Sequence, residues 1–249
     1  MIVLVTGATA GFGAAIAHRF ASEGARVIAT GRRTERLDAL KSELGDALLP
    51  VTLDVCDRAA VERAVNRLPA DWAEIDVLVN NAGLALGLEP AQSASIDDWD
   101  TMVDTNIKGL TYCSRAVLPG MVRRNRGHLI NMGSVAGEFP YPGGNVYGAT
   151  KAFVHHFSLN LRADLLGTAV RVTSIEPGLC GGTEFSAVRF KGDEQKVNSV
   201  YAGTTPLSAE DIAETVWWVV SWPPHININV ISMMPVCQAF GPFAIKRTR

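Results

Sequence analysis

Short β-branched runs alternate with longer segments of helical period along nearly the whole chain. That alternation limits the fold more than any other feature. Strands are expected at 2–5, 26–30, 48–53, 77–79, 128–132, 170–175 and 226–233. Helices are expected at 11–23, 34–44, 57–68, 146–166 and 211–221, and along 96–124 with an interruption near Asn106 to Gly109. Strands and helices in strict turn predict an α/β fold, a doubly wound parallel sheet covered by helices on both faces. No repeat, linker or composition shift divides the 249 residues, so one domain is expected over 1–249. The exception to the rhythm is 178–207, rich in Gly, Ser, Thr and charge. So long a connection inside a domain is usually functional, and it reads as a substrate-covering loop with short helical pieces.

Composition closes off several function classes. With 47% apolar residues and a net charge of −2, the chain is neither disordered nor a polyanion binder, so no nucleic-acid or membrane partner is expected. The four cysteines, Cys56, Cys113, Cys180 and Cys237, have no metal-ligand spacing, and no metal is expected. No run approaches the roughly 20 apolar residues of a membrane span, and no secretory signal is evident, so a cytoplasmic location is expected.

Directly after the first strand stands Thr6-Gly7-Ala8-Thr9-Ala10-Gly11-Phe12-Gly13. Glycines at a strand-to-helix turn let the backbone approach a pyrophosphate, and the helix behind offers free N–H groups and a positive dipole end. Gly7, Thr9, Ala10, Gly11, Phe12 and Gly13 are therefore candidate phosphate-binding residues of a Rossmann-type fold. No Gly-Lys-Ser/Thr follows, which disfavours a kinase or ATPase loop. Where dinucleotide folds place an acid for the ribose 2′-hydroxyl, this chain has Gly31-Arg32-Arg33. Arg32 and Arg33 suit a 2′-phosphate, so NADP is the expected cofactor rather than NAD.

The order and spacing of Thr6-Gly7-x3-Gly11-x-Gly13, Asn80-Asn81-Ala82-Gly83, Asn106, Ser134, Tyr147-x3-Lys151 and Pro177-Gly178 resemble the short-chain dehydrogenase/reductase family over almost the whole chain. Gly143 to Phe153, Gly181 to Ser186, Val188 to Asp193 and Met233-Met234-Pro235 look like its NADP-dependent 3-hydroxy acid dehydrogenase branch. That branch includes L-allo-threonine and serine dehydrogenases and malonic semialdehyde reductases. Cys180 and Cys237 depart from the branch in segments expected near substrate.

The resemblance implies an oxidoreductase working by hydride transfer, and a homotetramer. Tyr147 is the expected general acid/base. Lys151, one helical turn on, is expected to favour its phenolate and to bond the nicotinamide ribose. Ser134 is expected on the substrate oxygen, and Asn106 on a water that relays protons to Lys151. The resemblance sets Asp54 and Val55 at the adenine, and Asn80, Ala82 and Gly83 along the cofactor. It also sets Pro177, Gly178 and Thr183 beside the nicotinamide. A small anionic hydroxy acid or carbonyl substrate calls for a cation near Tyr147. Arg189 is the expected anchor, with Lys191 as the alternative and Gln238 as an added donor. Otherwise Arg189 only ties the loop to an acid such as Asp193. His155 and His156, with Trp217 and Trp218, read as surface, core or interface residues.

Other functions stay open at this point. Within the same chemistry the chain could reduce another small anionic carbonyl such as sulfoacetaldehyde, or ketones broadly. A nucleotide-sensing module would keep the fold without turnover. A hydrolase built on Ser134 would need an elbow that Met132-Gly133-Ser134-Val135-Ala136 does not have.

Overall fold

In the computed structural model, which describes residues 1–240, the strands are β1 (Ile2–Val5), β2 (Arg26–Gly31), β3 (Leu48–Thr52), β4 (Val77–Asn80), β5 (Gly127–Met132), β6 (Val170–Pro177) and β7 (Val230–Met233). They form one sheet in the order β3-β2-β1-β4-β5-β6-β7, with every pairing parallel. The helices are α1 (Gly11–Ser22), α2 (Thr34–Leu44), α3 (Arg58–Asn66), α4 (Ile96–Val103), α5 (Leu110–Arg123), α6 (Asn145–Asp164) and α9 (Ala209–Ser221). The connection at 178–207 carries the two short helices α7 (Phe185–Arg189) and α8 (Glu194–Tyr201). The strand order reverses between β1 and β4, and in such sheets ligands gather at the carboxyl ends beside that reversal.

The period of two along each strand sorts the core into two layers. Val3, Val5, Val27, Ala29, Val77, Val79 and Ile130 face α1, α2 and α9 through Ile16, Phe20, Leu37, Ile212 and Val216. Ile2, Leu4, Ile28, Leu78 and Leu129 face α3, α5 and α6 through Val61, Val117, Met121 and Leu161. Phe20 is completely buried and meets Trp217 edge-on, with ring centres 5.3 Å apart. Trp217 thus packs, half-buried, against the core, while Trp218 is 47% exposed and forms an edge-on pair with Trp222. Among the described residues no helix is long and apolar enough to cross a membrane.

Two expected elements differ. The segment 226–233 is strand only from Val230, because the Asn227 side chain stands in for the ladder. Its Oδ1 accepts from Val172 N (2.8 Å) and its Nδ2 donates to Val172 O (2.9 Å). The interruption expected in the long helix is a π-helical turn, Asp104–Gly109, between α4 and α5. Such turns often mark functional positions, and this one carries Asn106.

Phe20→Ala would empty the seam between α1 and α9. We expect a loss of about 3–5 kcal/mol in urea unfolding. A loss under about 1 kcal/mol would contradict the packing described.

Candidate active site

The turn after β1 is shaped by two close approaches. Gly7 has φ of +67°, a conformation that favours glycine, and any Cβ at Gly13 would collide with the Gly7 carbonyl. Behind it α1 starts without a capping side chain: Ala10 is its N-cap, and no acid stands in its first turn. The first N–H groups of α1 therefore remain available to an anion, as a pyrophosphate requires.

The turn is fastened to β4 by Thr6 and Asn81, two motif residues for which no role was expected. Asn81 Nδ2 donates to Thr6 O (2.8 Å) and Gly7 O (3.1 Å). Thr6 Oγ1 in return accepts from Asn81 N and Ala82 N, both at 3.0 Å. Asn80, expected to line the cofactor, points its side chain the other way. It is buried, and its Nδ2 donates to Ser114 Oγ (2.9 Å) and Asn131 Oδ1 (2.8 Å). Its side chain cross-links β4, α5 and β5 and faces no cofactor groove.

Arg33 and Arg32 differ in their surroundings. Arg33 donates through Nε and Nη2 to Thr9 Oγ1 (3.2 and 2.9 Å), and through Nη1 to Glu184 (2.8 Å). Arg32 is exposed, while Arg36, in the first turn of α2, also pairs with Glu184 at 2.8 Å. Asp54 is exposed beyond β3 and accepts from Cys56 N (2.9 Å). Val55 is buried against Gly109, where only a glycine leaves it room.

Ser134 follows β5 and begins a short turn, its Oγ accepting from Ala136 N (3.1 Å). Tyr147 and Lys151 lie on the inner face of α6, each 8% exposed. Burial pushes the Tyr147 phenol up to about 12, against the downward pull of its hydrogen bond with Ser134 and of the Arg189 charge. Burial also brings the Lys151 ammonium down to about 8. Its Nζ donates to Met132 O (2.7 Å) and lies 5.8 Å from the Tyr147 ring centre. Asn106 Oδ1 accepts from Leu84 N (2.9 Å), while its Nδ2 donates to Leu84 O (2.8 Å) and Thr150 Oγ1 (3.0 Å). The π turn thus braces the segment behind Gly83 against α6. Cβ positions built at Gly83 would touch Asn106 Oδ1 (3.2 Å) and approach Lys151 Nζ (3.5 Å), so the three are neighbours.

The other wall comes from β6 and the connection behind it. Pro177 ends β6, and Gly178 N donates to Met233 O (2.8 Å). Gln238 Oε1 accepts from Leu179 N (2.6 Å), so this side chain braces the backbone beside Gly178. Thr183 lies against Gly11 of the glycine turn. Phe185 meets Tyr147 edge-on at 5.9 Å. Arg189 Nε donates to Gly87 O (3.1 Å) and its Nη2 to Tyr141 Oη (2.9 Å), and its guanidinium carbon is 5.6 Å from the Tyr147 ring centre. Its partners are therefore Gly87 and Tyr141, and Asp193 instead caps α8. Lys191, the alternative anchor, pairs with Asp98 at 2.8 Å. His155 pairs through Nδ1 with the buried Glu176 (2.7 Å). Asn81, Thr6, Thr150, Tyr141, Arg36 and Glu184 are the site residues that sequence reasoning missed.

A family model described as short chain dehydrogenase matches residues 1–194. The chain belongs to the short-chain dehydrogenase family. An NADP-dependent 3-hydroxy acid dehydrogenase of Salmonella typhimurium is 67% identical over 248 residues, covering 100% of both chains. A serine 3-dehydrogenase of Agrobacterium fabrum is 52% identical over 245 residues, covering 98% of both. Among solved structures, the closed form of a serine dehydrogenase complexed with NADP+ has 64% identity, full coverage of both chains and a TM-score of 0.99.

In a short-chain dehydrogenase with this geometry, the buried ammonium of Lys151 works against stability. The unfolded lysine titrates near 10.4, and the folded one near 8. Between those values the unfolded state holds the extra proton, so stability rises with pH through that window. Below about 8 the full penalty stands, on the order of 3 kcal/mol. Lys151→Met is therefore expected to unfold later than the parent at pH 7, with the advantage shrinking from pH 8 to 10.5. A variant less stable at pH 7, or an advantage independent of pH, would refute the charged burial.

Proposed function

We propose that this chain is an NADP-dependent oxidoreductase that interconverts small 3-hydroxy acids, of the serine, allo-threonine or 3-hydroxypropionate type, with their carbonyl forms. The observation that carries the reading is the burial of Tyr147 and Lys151 beside the half-buried Ser134, with the Arg189 cation 5.6 Å from the Tyr147 ring. The activities named for the relatives supply the substrate class.

The residues fit the cofactor. The uncapped start of α1 and the cradle at Gly7, Thr9, Ala10, Gly11, Phe12 and Gly13 suit a pyrophosphate. Arg32 and Arg33 suit a 2′-phosphate, and Asp54 and Val55 flank the adenine side. Ala82, Gly83, Pro177, Gly178 and Thr183 border the nicotinamide side, where Lys151 reaches the ribose. NADPH bound there supplies the hydride.

The chain's own groups handle the proton. A phenol held up near 12 keeps its proton at neutral pH, so Tyr147 is poised as the acid in carbonyl reduction. It gives the proton to the carbonyl oxygen, which becomes the hydroxyl, while Ser134 holds that oxygen in line. Asn106, tied to Thr150 just before Lys151, holds the water through which protons are relayed to Lys151. Arg189 binds the substrate carboxylate through the outer edge of its guanidinium, its Nε and part of Nη2 being engaged by Gly87 and Tyr141. In this reading the protein is cytoplasmic and homotetrameric, and the exposed Trp218–Trp222 pair suits a subunit contact.

Two measurements test the reading. Purified protein should oxidise NADPH with malonic semialdehyde at least tenfold better than NADH, and Tyr147→Phe should lose at least a hundredfold in turnover while binding NADPH. Equal use of both cofactors, or a tenth of the activity left in Tyr147→Phe, would refute it. Faster turnover of sulfoacetaldehyde or neutral ketones would move the substrate class. Separately, Arg189→Met should lower kcat/KM by tenfold or more on the anionic substrate and little on a neutral ketone of similar size. An equal loss on both would make Arg189 structural.

A further inference from the structure

Helix α7 is only five residues long, yet charged groups hold it at both ends. At its far end Arg189 is bound to Gly87 and Tyr141, and Lys191 to Asp98. Between the ends Phe185 covers Tyr147. At the near end stands Glu184, and its two carboxylate oxygens are taken by different arginines. Arg33 Nη1 meets Oε2 and Arg36 Nη1 meets Oε1, each at 2.8 Å. Neither arginine belongs to the connection at 178–207: both flank the end of β2, and Arg33 is also hydrogen-bonded to Thr9 of the glycine turn.

We propose that Glu184 is a positioning residue that latches the substrate-covering segment onto Arg33 of the NADP 2′-phosphate subsite and its neighbour Arg36, so that closure over the substrate is fastened through the cofactor pocket. This rests on the NADP reading above. Three observations support it. The carboxylate is bidentate toward two guanidinium groups, a stronger arrangement than a lone surface pair. Partial desolvation raises its pKa, but the hydrogen bonds from Arg33 and Arg36 outweigh that and hold it below the usual range. The adjoining Thr183 rests on Gly11, so the segment touches the cofactor cradle at two points. The overall match to the closed, NADP+-complexed serine dehydrogenase agrees with a shut segment.

The latch makes a prediction of opposite sign for cofactor and substrate. Arg33 and Arg36 carry two positive charges, and Glu184 cancels one of them. Removing its charge leaves the 2′-phosphate with more free cation, while the segment loses its fastening. In NADPH-saturated E184Q, trypsin cleavage after Arg189, Lys191 and Lys196 should be at least fivefold faster than in the parent. The KM for the carbonyl substrate should rise at least fivefold with kcat within twofold, and NADPH should bind as tightly as before or more tightly. R36M, which leaves Glu184 its bond to Arg33, should open the segment less than E184Q does, and the double variant should be cleaved no faster than E184Q. E184D, which keeps the charge, should recover part of the protection.

Cleavage and KM within twofold of the parent in E184Q would overturn the latch, leaving an ordinary surface ion pair. Weakened NADPH binding with unchanged cleavage would overturn it too, by assigning Glu184 to the cofactor alone. A parent chain that fails to bind NADPH would refute the functional reading. The same cleavage comparison without cofactor would then still decide whether Glu184 fastens the segment.

Discussion

The reciprocal hydrogen bonding between Thr6 and Asn81 holds the site to the sheet. β1 and β4 are neighbours at the point where strand order reverses, and their carboxyl ends leave the sheet together. Loops there would separate if nothing joined them, because the ladder ends with the strands. Asn81 replaces the missing rungs with its side-chain amide, and Thr6 returns the bonds through its hydroxyl. The glycine turn is thus positioned by β4 as much as by its own strand. Gly13 can sit against the Gly7 carbonyl because that carbonyl is already held in place.

The same short segment fastens the other half of the site. Two residues beyond Ala82, Leu84 exchanges a pair of backbone bonds with the Asn106 side chain, and Asn106 reaches on to Thr150 in α6. Tyr147 and Lys151 are therefore referenced to β4 through a single asparagine in a π turn. A regular α-helix through 104–109 would leave that residue at a different angle, so the irregularity belongs to the geometry of the site. From the glycine turn to α6, the path is Thr6, Asn81, Leu84, Asn106, Thr150. Every link is a hydrogen bond or a short stretch of chain, and the members other than Asn81 and Leu84 lie largely buried.

What could be read in the sequence was whatever repeats locally. The sheet, its helices and the glycine turn are carried by periods of two and 3.6 and by glycine, all visible within a dozen residues. Asn80 was misplaced for a physical reason. A strand of a parallel sheet is buried on both faces, so alternation does not tell which of two adjacent asparagines faces the groove. Asn81 escapes the strand and becomes the tie, while Asn80 stays in it. Partners far apart in the chain left no local trace. Arg33 and Glu184 are 151 positions apart, and Arg189 and Tyr141 are 48 apart. Gln238 was legible as a residue near the site, but its use as a backbone brace depends on where the tail returns. Asn227 shows the same limit. Its alternation looked like strand, and only the pairing with Val172 reveals a side chain acting as backbone.

The electrostatics of the site join these two kinds of information. Tyr147 and Lys151 are fixed by one helix, and burial alone would hold the phenol neutral and ease the proton off the ammonium. Of the groups that pull Tyr147 back toward ionisation, Ser134 belongs to the rigid end of β5. Arg189 belongs to α7, within the segment that covers the site. The acidity of Tyr147 is therefore set partly by where that segment lies. With α7 seated, the phenol feels a cation beside its ring, and its proton leaves more readily. The seat of α7 and the acidity of Tyr147 are in this way joined, because the Arg189 cation that α7 carries lies 5.6 Å from the Tyr147 ring.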